Sequence, residues 1–241
     1  VTTLSPLSRF APVLVLGLAL VSPAGAQEPA TPPSLTTLDA RAAPWTSVGR
    51  MNNSAYGRCA AVLLGPRVAV TAAHCLFNRR SGRFLEAGSI HVLFGFDRGS
   101  YGFHATVAAI EIADGYDPKA PATALPKDLA VLRLAQAVPE AFAPARLAER
   151  LPDPGRPLTA AGYAQERSEV LSSAPPCSLQ GTDPAGLIVS DCYASHGFSG
   201  GPLLDAETGT LVGMTVASAL ADGRPVALAV PAARLVEALA P

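Results

Sequence analysis

Charge is scarce in this chain of 241 residues: 18 Lys and Arg stand against 19 Asp and Glu, for a formal net charge of −1. Such a balance leaves no electrostatic footprint for a phosphate backbone or an anionic bilayer, so neither nucleic acid nor a membrane surface is an expected partner. There is no charge block and no internal repeat. No apolar run reaches the roughly 20 residues that a bilayer-spanning helix requires. Cysteine is limited to four residues, none in a Cys-x-x-Cys pair, and the four histidines are scattered as His74, His91, His104 and His196. A zinc site is not expected from that distribution, and neither is any other metal or cofactor. Aromatics make up 6% of the chain, and its single tryptophan, Trp45, reads as a packing residue.

What the chain does have is apolar residues, at 49%, with 21 glycines and 23 prolines. Its length suffices for a large core, and barrel proteins of this size often form one unit. The glycine and proline content lies below the level of disordered low-complexity chains and implies many turns.

Residues 1–26 read as a signal peptide. Arg9 supplies the positive n-region, Phe10 to Val21 the apolar stretch, and Ala24-Gly25-Ala26 the small residues before a cut at Gln27. Residues 27–43 then form a leader or pro-segment, and the folded domain is expected over 44–241. Export makes the protein secreted or periplasmic, and there four cysteines point to two disulfides with three possible pairings. Spacing favours Cys59 with Cys75 and Cys177 with Cys192, each closing a loop of about 15 residues worth roughly 3 kcal/mol.

Short runs rich in β-branched residues, bounded by Gly, Pro and Asp, predict an all-β sandwich or barrel. The candidates are Val62 to Leu64, Val68 to Val70, His91 to Phe96, Phe103 to Ile112 and Leu129 to Leu134. Later come Leu158 to Gly162, Gly186 to Cys192, Leu211 to Val216 and Val226 to Val230. Absence of long intervening helical patterns argues against a parallel α/β sheet. Pro139 to Pro157 reads as a linker between two halves. The tail 231–239 is the best helix, with Pro231 at its first position and Leu235, Val236 and Leu239 at helical spacing.

Three segments carry chemistry. In Val70-Thr71-Ala72-Ala73-His74-Cys75, a histidine ends a strand beside a cysteine that ties its turn back to Cys59. A serine hydroxyl needs an adjacent base to attack an amide, and imidazole suits that role. In Lys127-Asp128-Leu129-Ala130-Val131-Leu132-Arg133-Leu134, a carboxylate heads an apolar strand, where burial lets it fix the imidazole tautomer. Asp114 and Asp117 compete for this role, but no core strand follows their loop. In Gly197-Phe198-Ser199-Gly200-Gly201-Pro202-Leu203, glycines permit a sharp turn that aims the N–H groups of Gly197 and Ser199 at one point, as an oxyanion hole requires. The nucleophile elbow of α/β-hydrolases is similar, but its histidine follows the serine, and none follows Ser199 here.

Together these segments resemble the three signatures of trypsin-like, chymotrypsin-fold serine peptidases, and most closely the bacterial branch that includes the glutamyl endopeptidases. Pro44-Trp45, Gly162-Tyr163 and Leu211-Val212-Gly213 extend the likeness over roughly residues 44–239. The resemblance implies two antiparallel β-barrels, about 44–140 and 156–230, with His74, Asp128 and Ser199 in the cleft between them. It implies peptide-bond hydrolysis through an acyl-enzyme, a polypeptide as substrate, and no cofactor. The competing class is an inert homologue that keeps the fold as a binding module.

Departures from the family pattern bear on specificity and activation. Tyr193 stands where trypsin carries its specificity aspartate, so no strong preference for Arg or Lys is expected. Thr215 occupies the place of a histidine in glutamyl endopeptidases. Phe198 replaces the aspartate that pairs with a processed N-terminal amine in animal enzymes, so activity should not depend on a defined N-terminal residue. His196, beside the oxyanion segment, reads as an exposed loop residue, and His91 and His104 as structural strand residues.

Overall fold

The computed structural model describes residues 33–55, 57–221 and 224–239. The expected signal peptide and residues 27–32 lie outside the described residues. Among the described residues, sixteen strands dominate. The first eight are β1 (Thr36–Thr37), β2 (Val48–Asn53), β3 (Arg58–Gly65), β4 (Val68–Thr71), β5 (Phe77–Asn78), β6 (Arg83–Phe84), β7 (Ile90–Phe94) and β8 (Phe103–Ile112). The others are β9 (Ala130–Leu134), β10 (Pro157–Gly162), β11 (Ser172–Ser173), β12 (Cys177–Thr182), β13 (Ile188–Ser190), β14 (Pro202–Asp205), β15 (Leu211–Ala221) and β16 (Arg224–Pro231). Two short helices accompany them, α1 (Pro121–Ala124) and α2 (Ala232–Glu237).

Two antiparallel barrels of six strands result, as expected. The first closes in the order β2-β3-β4-β9-β8-β7, and the second in the ring β10-β12-β13-β16-β15-β14. Closure leaves neither ring with an open edge, which matters for a chain so rich in short apolar strands. Val62, Val70, Val92, Phe94 and Leu132 fill the first barrel, and Leu158, Leu179, Ile188, Leu203 and Val212 the second. The apolar cluster of the first barrel runs on to Met214, Val216 and Val230 of the second, so the two rings share a dry contact. Pro139 to Pro157 crosses between them without a strand until its last residue. Its backbone is tied to Leu63 and Leu211, and that of Val138 just before it to Pro66.

Two boundaries differ from the sequence reading. The domain starts before Pro44: the compact unit begins at Pro33, β1 pairs with β11, and Ala40 is buried between the barrels. The final helix is shorter than 231–239, with Pro231 as its N-cap in extended conformation. Leu235 is fully buried whereas Val236 faces solvent, and Ala238 and Leu239 past the helix end pack against the core. Arg234 of α2 reaches across to donate to the carbonyls of Pro126 and Ala185, at 2.9 and 3.2 Å.

Candidate active site

His74 leaves β4 on a tight turn, Ala73–Leu76, anchored on two sides. Cys75 is bonded to Cys59 of β3, and Asn53 Nδ2 donates to the Cys75 carbonyl at 3.1 Å. Asp128 follows the turn Leu125–Lys127, which Arg234 holds through Pro126. Both of its carboxylate oxygens meet His74: Oδ1 accepts the backbone N–H at 2.8 Å, and Oδ2 lies 2.6 Å from Nδ1. The Asp128 side chain is 3% exposed and that of His74 32%. One imidazole nitrogen is therefore committed to a buried anion while the other faces the cleft. Asp114 and Asp117 are exposed and remain outside this arrangement. Tyr116 from the same loop lies near Asp128. Burial, reinforced by the charge of Asp128, raises its phenol far above the usual range.

Ser199 comes from the second barrel, on the loop between β13 and β14. Its carbonyl accepts the N–H of Ala60 at 2.8 Å, and the Ala60 carbonyl accepts the Thr71 hydroxyl at 2.8 Å. Buried Thr71 thus links the serine loop to the strand that carries His74. Gly200 makes this approach possible: with φ at +77°, a Cβ there would stand 2.2 Å from the Ala60 carbonyl oxygen. The serine hydroxyl makes no hydrogen bond to His74, whose Nε2 has Cys75 Sγ at 3.6 Å as a polar neighbour. Ser199, His74, Gly197 and His196 nevertheless line one cleft of about 600 Å³.

The backbone before Ser199 folds over the end of β10. Tyr163 N–H donates to the Gly197 carbonyl at 3.1 Å and Gln165 N–H to that of His196 at 2.7 Å. Phe198, Gly200 and Gly201 spend their N–H groups on Ser195, Thr215 and Phe198 respectively. The N–H groups of Gly197 and Ser199 bond to nothing among the described residues. Phe198 is fully buried in the second core, edge-on to Tyr193. Cys192 at the root of the loop is bonded to Cys177 of β12.

Sequence reading missed one acid at this loop. Glu166 accepts hydrogen bonds from the Tyr193 and Ser195 hydroxyls, both at 3.2 Å. Burial, then the Glu166 charge, raises the Tyr193 phenol above its ordinary value. A carboxylate thus stands beside the tyrosine where the sequence alone placed none. Thr215 is buried in β15, its hydroxyl without a partner among the described residues. His196 is exposed, and His91 and His104 share a 2.9 Å hydrogen bond across β7 and β8. Cys59, His74 and Cys75 lie close enough to suggest a metal, but both sulfurs are consumed in the bridge and offer no thiolate.

A trypsin-like peptidase domain matches residues 59–214, and the chain belongs to that family. By class it is a serine endopeptidase with a chymotrypsin-like fold. Among solved structures, a Glu endopeptidase in complex with MPD superposes with a TM-score of 0.72 at 20% identity, covering 85% of this chain and 94% of that one. The VesB protease of Vibrio cholerae gives 0.61 at 21% identity, covering 82% and 64%. The Rv3671c protease of M. tuberculosis, in an inactive form, gives 0.56 at 20% identity, covering 80% and 85%. A search of the curated proteins by sequence gives no match.

Proposed function

We propose that this protein is an exported endopeptidase in which Ser199 is the nucleophile, His74 the general base and then acid, and Asp128 the orienting carboxylate. The observation that carries this reading is the double hold of Asp128 on His74, at 2.8 and 2.6 Å, with the opposite face of the imidazole open to the serine's cleft. Ser199 Oγ attacks the scissile carbonyl carbon and passes its proton to Nε2. The oxyanion that forms accepts the N–H groups of Gly197 and Ser199. As the tetrahedral intermediate collapses, Nε2 returns the proton to the departing amine and the acyl-enzyme remains. Water then repeats the sequence and frees Ser199. Resting catalytic hydrogen bonds are often long before substrate binds, so closure of the Ser199–His74 pair belongs to the substrate complex.

Two disulfides, and no helix among the described residues long and apolar enough to cross a membrane, fit delivery to an oxidising compartment. In this reading, removal of residues 1–26 releases the protein to the periplasm or the medium. The test is covalent labelling by a fluorophosphonate, together with turnover of peptides by Ser199→Ala and His74→Ala. Labelling at Ser199 and a loss of several orders of magnitude in kcat in both variants are expected. Near-native turnover in both, or an unlabelled Ser199, would overturn the assignment and favour a binding module.

A further inference from the structure

The cleft beside Ser199 has a charge that the hydrolytic chemistry does not use. Starting at the Cys59–Cys75 bridge, its wall is built from Arg58 at the start of β3 and from Arg79 and Arg80 at the tip of the β5–β6 hairpin. No carboxylate lines this cleft among the described residues, and none of the three arginines has an ion pair there. The concentration is local, because the chain as a whole carries a formal charge of −1.

The backbone that carries the arginines is also held in place. Phe77 packs edge-on to Phe84 with ring centroids 5.4 Å apart, and the Leu85 N–H donates to the Leu76 carbonyl at 2.8 Å, which fixes the hairpin base. At its tip, Asn78 Oδ1 accepts the N–H of Arg80 at 2.9 Å. Arg58 Nη1 donates to Ser168 Oγ at 3.0 Å, which orients the guanidinium without neutralising it. Cations carried on a fixed backbone around a concave surface raise the local potential felt by a carboxylate more than scattered surface cations do.

Direction follows from the proton that His74 must deliver. The departing amine lies against the imidazole, so the peptide segment it heads leaves across His74 and the adjoining bridge. An extended chain advances about 3.3 Å per residue. Arg79 and Arg80 follow His74 by only a short stretch of backbone and come within reach of the first few residues past the scissile bond.

We propose that this cleft is a subsite for acidic residues: Arg58, Arg79 and Arg80 select substrates with Asp or Glu one to three residues beyond the cleaved bond, on the leaving-group side. The inference rests on the peptidase reading and adds to it a substrate class.

The test is digestion of a randomised peptide library by the unmodified protein at low and high salt, and by an Arg79→Glu/Arg80→Glu variant, with cleavage sites read by mass spectrometry. At low salt, Asp and Glu should be favoured over Lys and Arg at these positions by about tenfold in kcat/KM, and added salt should shrink the ratio. In the variant the ratio should invert. Because the readout is a ratio within one digest, partial misfolding of the variant lowers all its cleavages alike and does not alter the ratio set by its folded fraction. Cleavage with no charge preference on that side, or a preference untouched by both salt and charge reversal, overturns the subsite while leaving the peptidase reading intact. Absence of any cleavage, with Ser199 unlabelled by fluorophosphonate, removes both.

Discussion

Replacing Gly197 with alanine tests the oxyanion loop at its tightest point. The residue sits at φ +98°, and a Cβ built there would lie 2.0 Å from the Tyr163 carbonyl oxygen and 2.8 Å from its carbon. Ordinary carbon contacts begin at about 3.5 Å, so backbone has to move by more than an ångström. The positive φ adds roughly 1–2 kcal/mol of strain for an L side chain. Relief by rotating the loop breaks the 3.1 Å bond from Tyr163 N–H to the Gly197 carbonyl and swings the neighbouring N–H away from its aim. Loss of one oxyanion donor costs about 10²–10³ in kcat. The expected result is a kcat lower by that factor, with a stability loss of roughly 1–3 kcal/mol in urea unfolding. Gly88→Ala is the control, since a Cβ there meets nothing within 4 Å. If Gly197→Ala turned over within threefold of the control, the free N–H at this position would not serve the reaction.

Acid should destabilise the protein partly through Asp205. Hydrogen bonds from the Arg156 guanidinium, at 2.8 and 3.1 Å, with backbone N–H groups of Thr208 and Glu207, lower its carboxyl from 3.8 to about 2. The folded value lies below the unfolded one, so the stabilisation, about 2 kcal/mol, is complete above pH ~4 and is lost as pH falls towards 2. Asp205→Asn should cost a comparable amount at neutral pH and flatten the unfolding free energy between pH 4 and 2. An unchanged slope in that window would refute the linkage. Removing the first bridge, as Cys59→Ala/Cys75→Ala, should lower stability by roughly 2–5 kcal/mol and free the turn that carries His74. Equal denaturant midpoints for the variant and the parent would contradict that role.

How much of this was legible in the sequence depended on whether local pattern or distant contact set the outcome. Phe103 to Ile112 is a strand of the predicted extent, because its β-branched and apolar residues need no outside help. Val48–Asn53 was invisible: Arg50 interrupts it, and its burial is made tolerable only by the Phe96 ring 4.3 Å away and by Glu169 at 3.4 Å. Cys177–Thr182 is largely polar, and Pro202–Asp205 is short and starts at a proline, so neither announces a central strand. The three chemical segments were readable because each joins a reactive side chain to turn-forming or strand-forming neighbours. Glu166 had no such company, and only the fold brings it to Tyr193. The arginines of the cleft likewise come from two separate stretches, and nothing local marks them as one surface.

The short strand ahead of the barrels limits how far the chain can be trimmed from its N-terminal side. Arg167 donates through its guanidinium to the Leu35 carbonyl and the Thr37 hydroxyl, while its neighbour Glu166 holds Tyr193 and Ser195 of the serine loop. Leu38 is bonded to Leu171, and Ala40 fills a place between the barrels. Independence from the identity of the first residue, as expected from Phe198, would therefore not be independence from where the chain is trimmed. Trimming upstream of Pro33 spares every one of these ties. Trimming at Pro44 strips the pairing edge from Ser172 and Ser173, empties the site of Ala40, and leaves Arg167 to water. Any trimming from this side is thus limited by a two-residue strand far from Ser199 in sequence, tied to Arg167 next to the Glu166 that holds the serine loop.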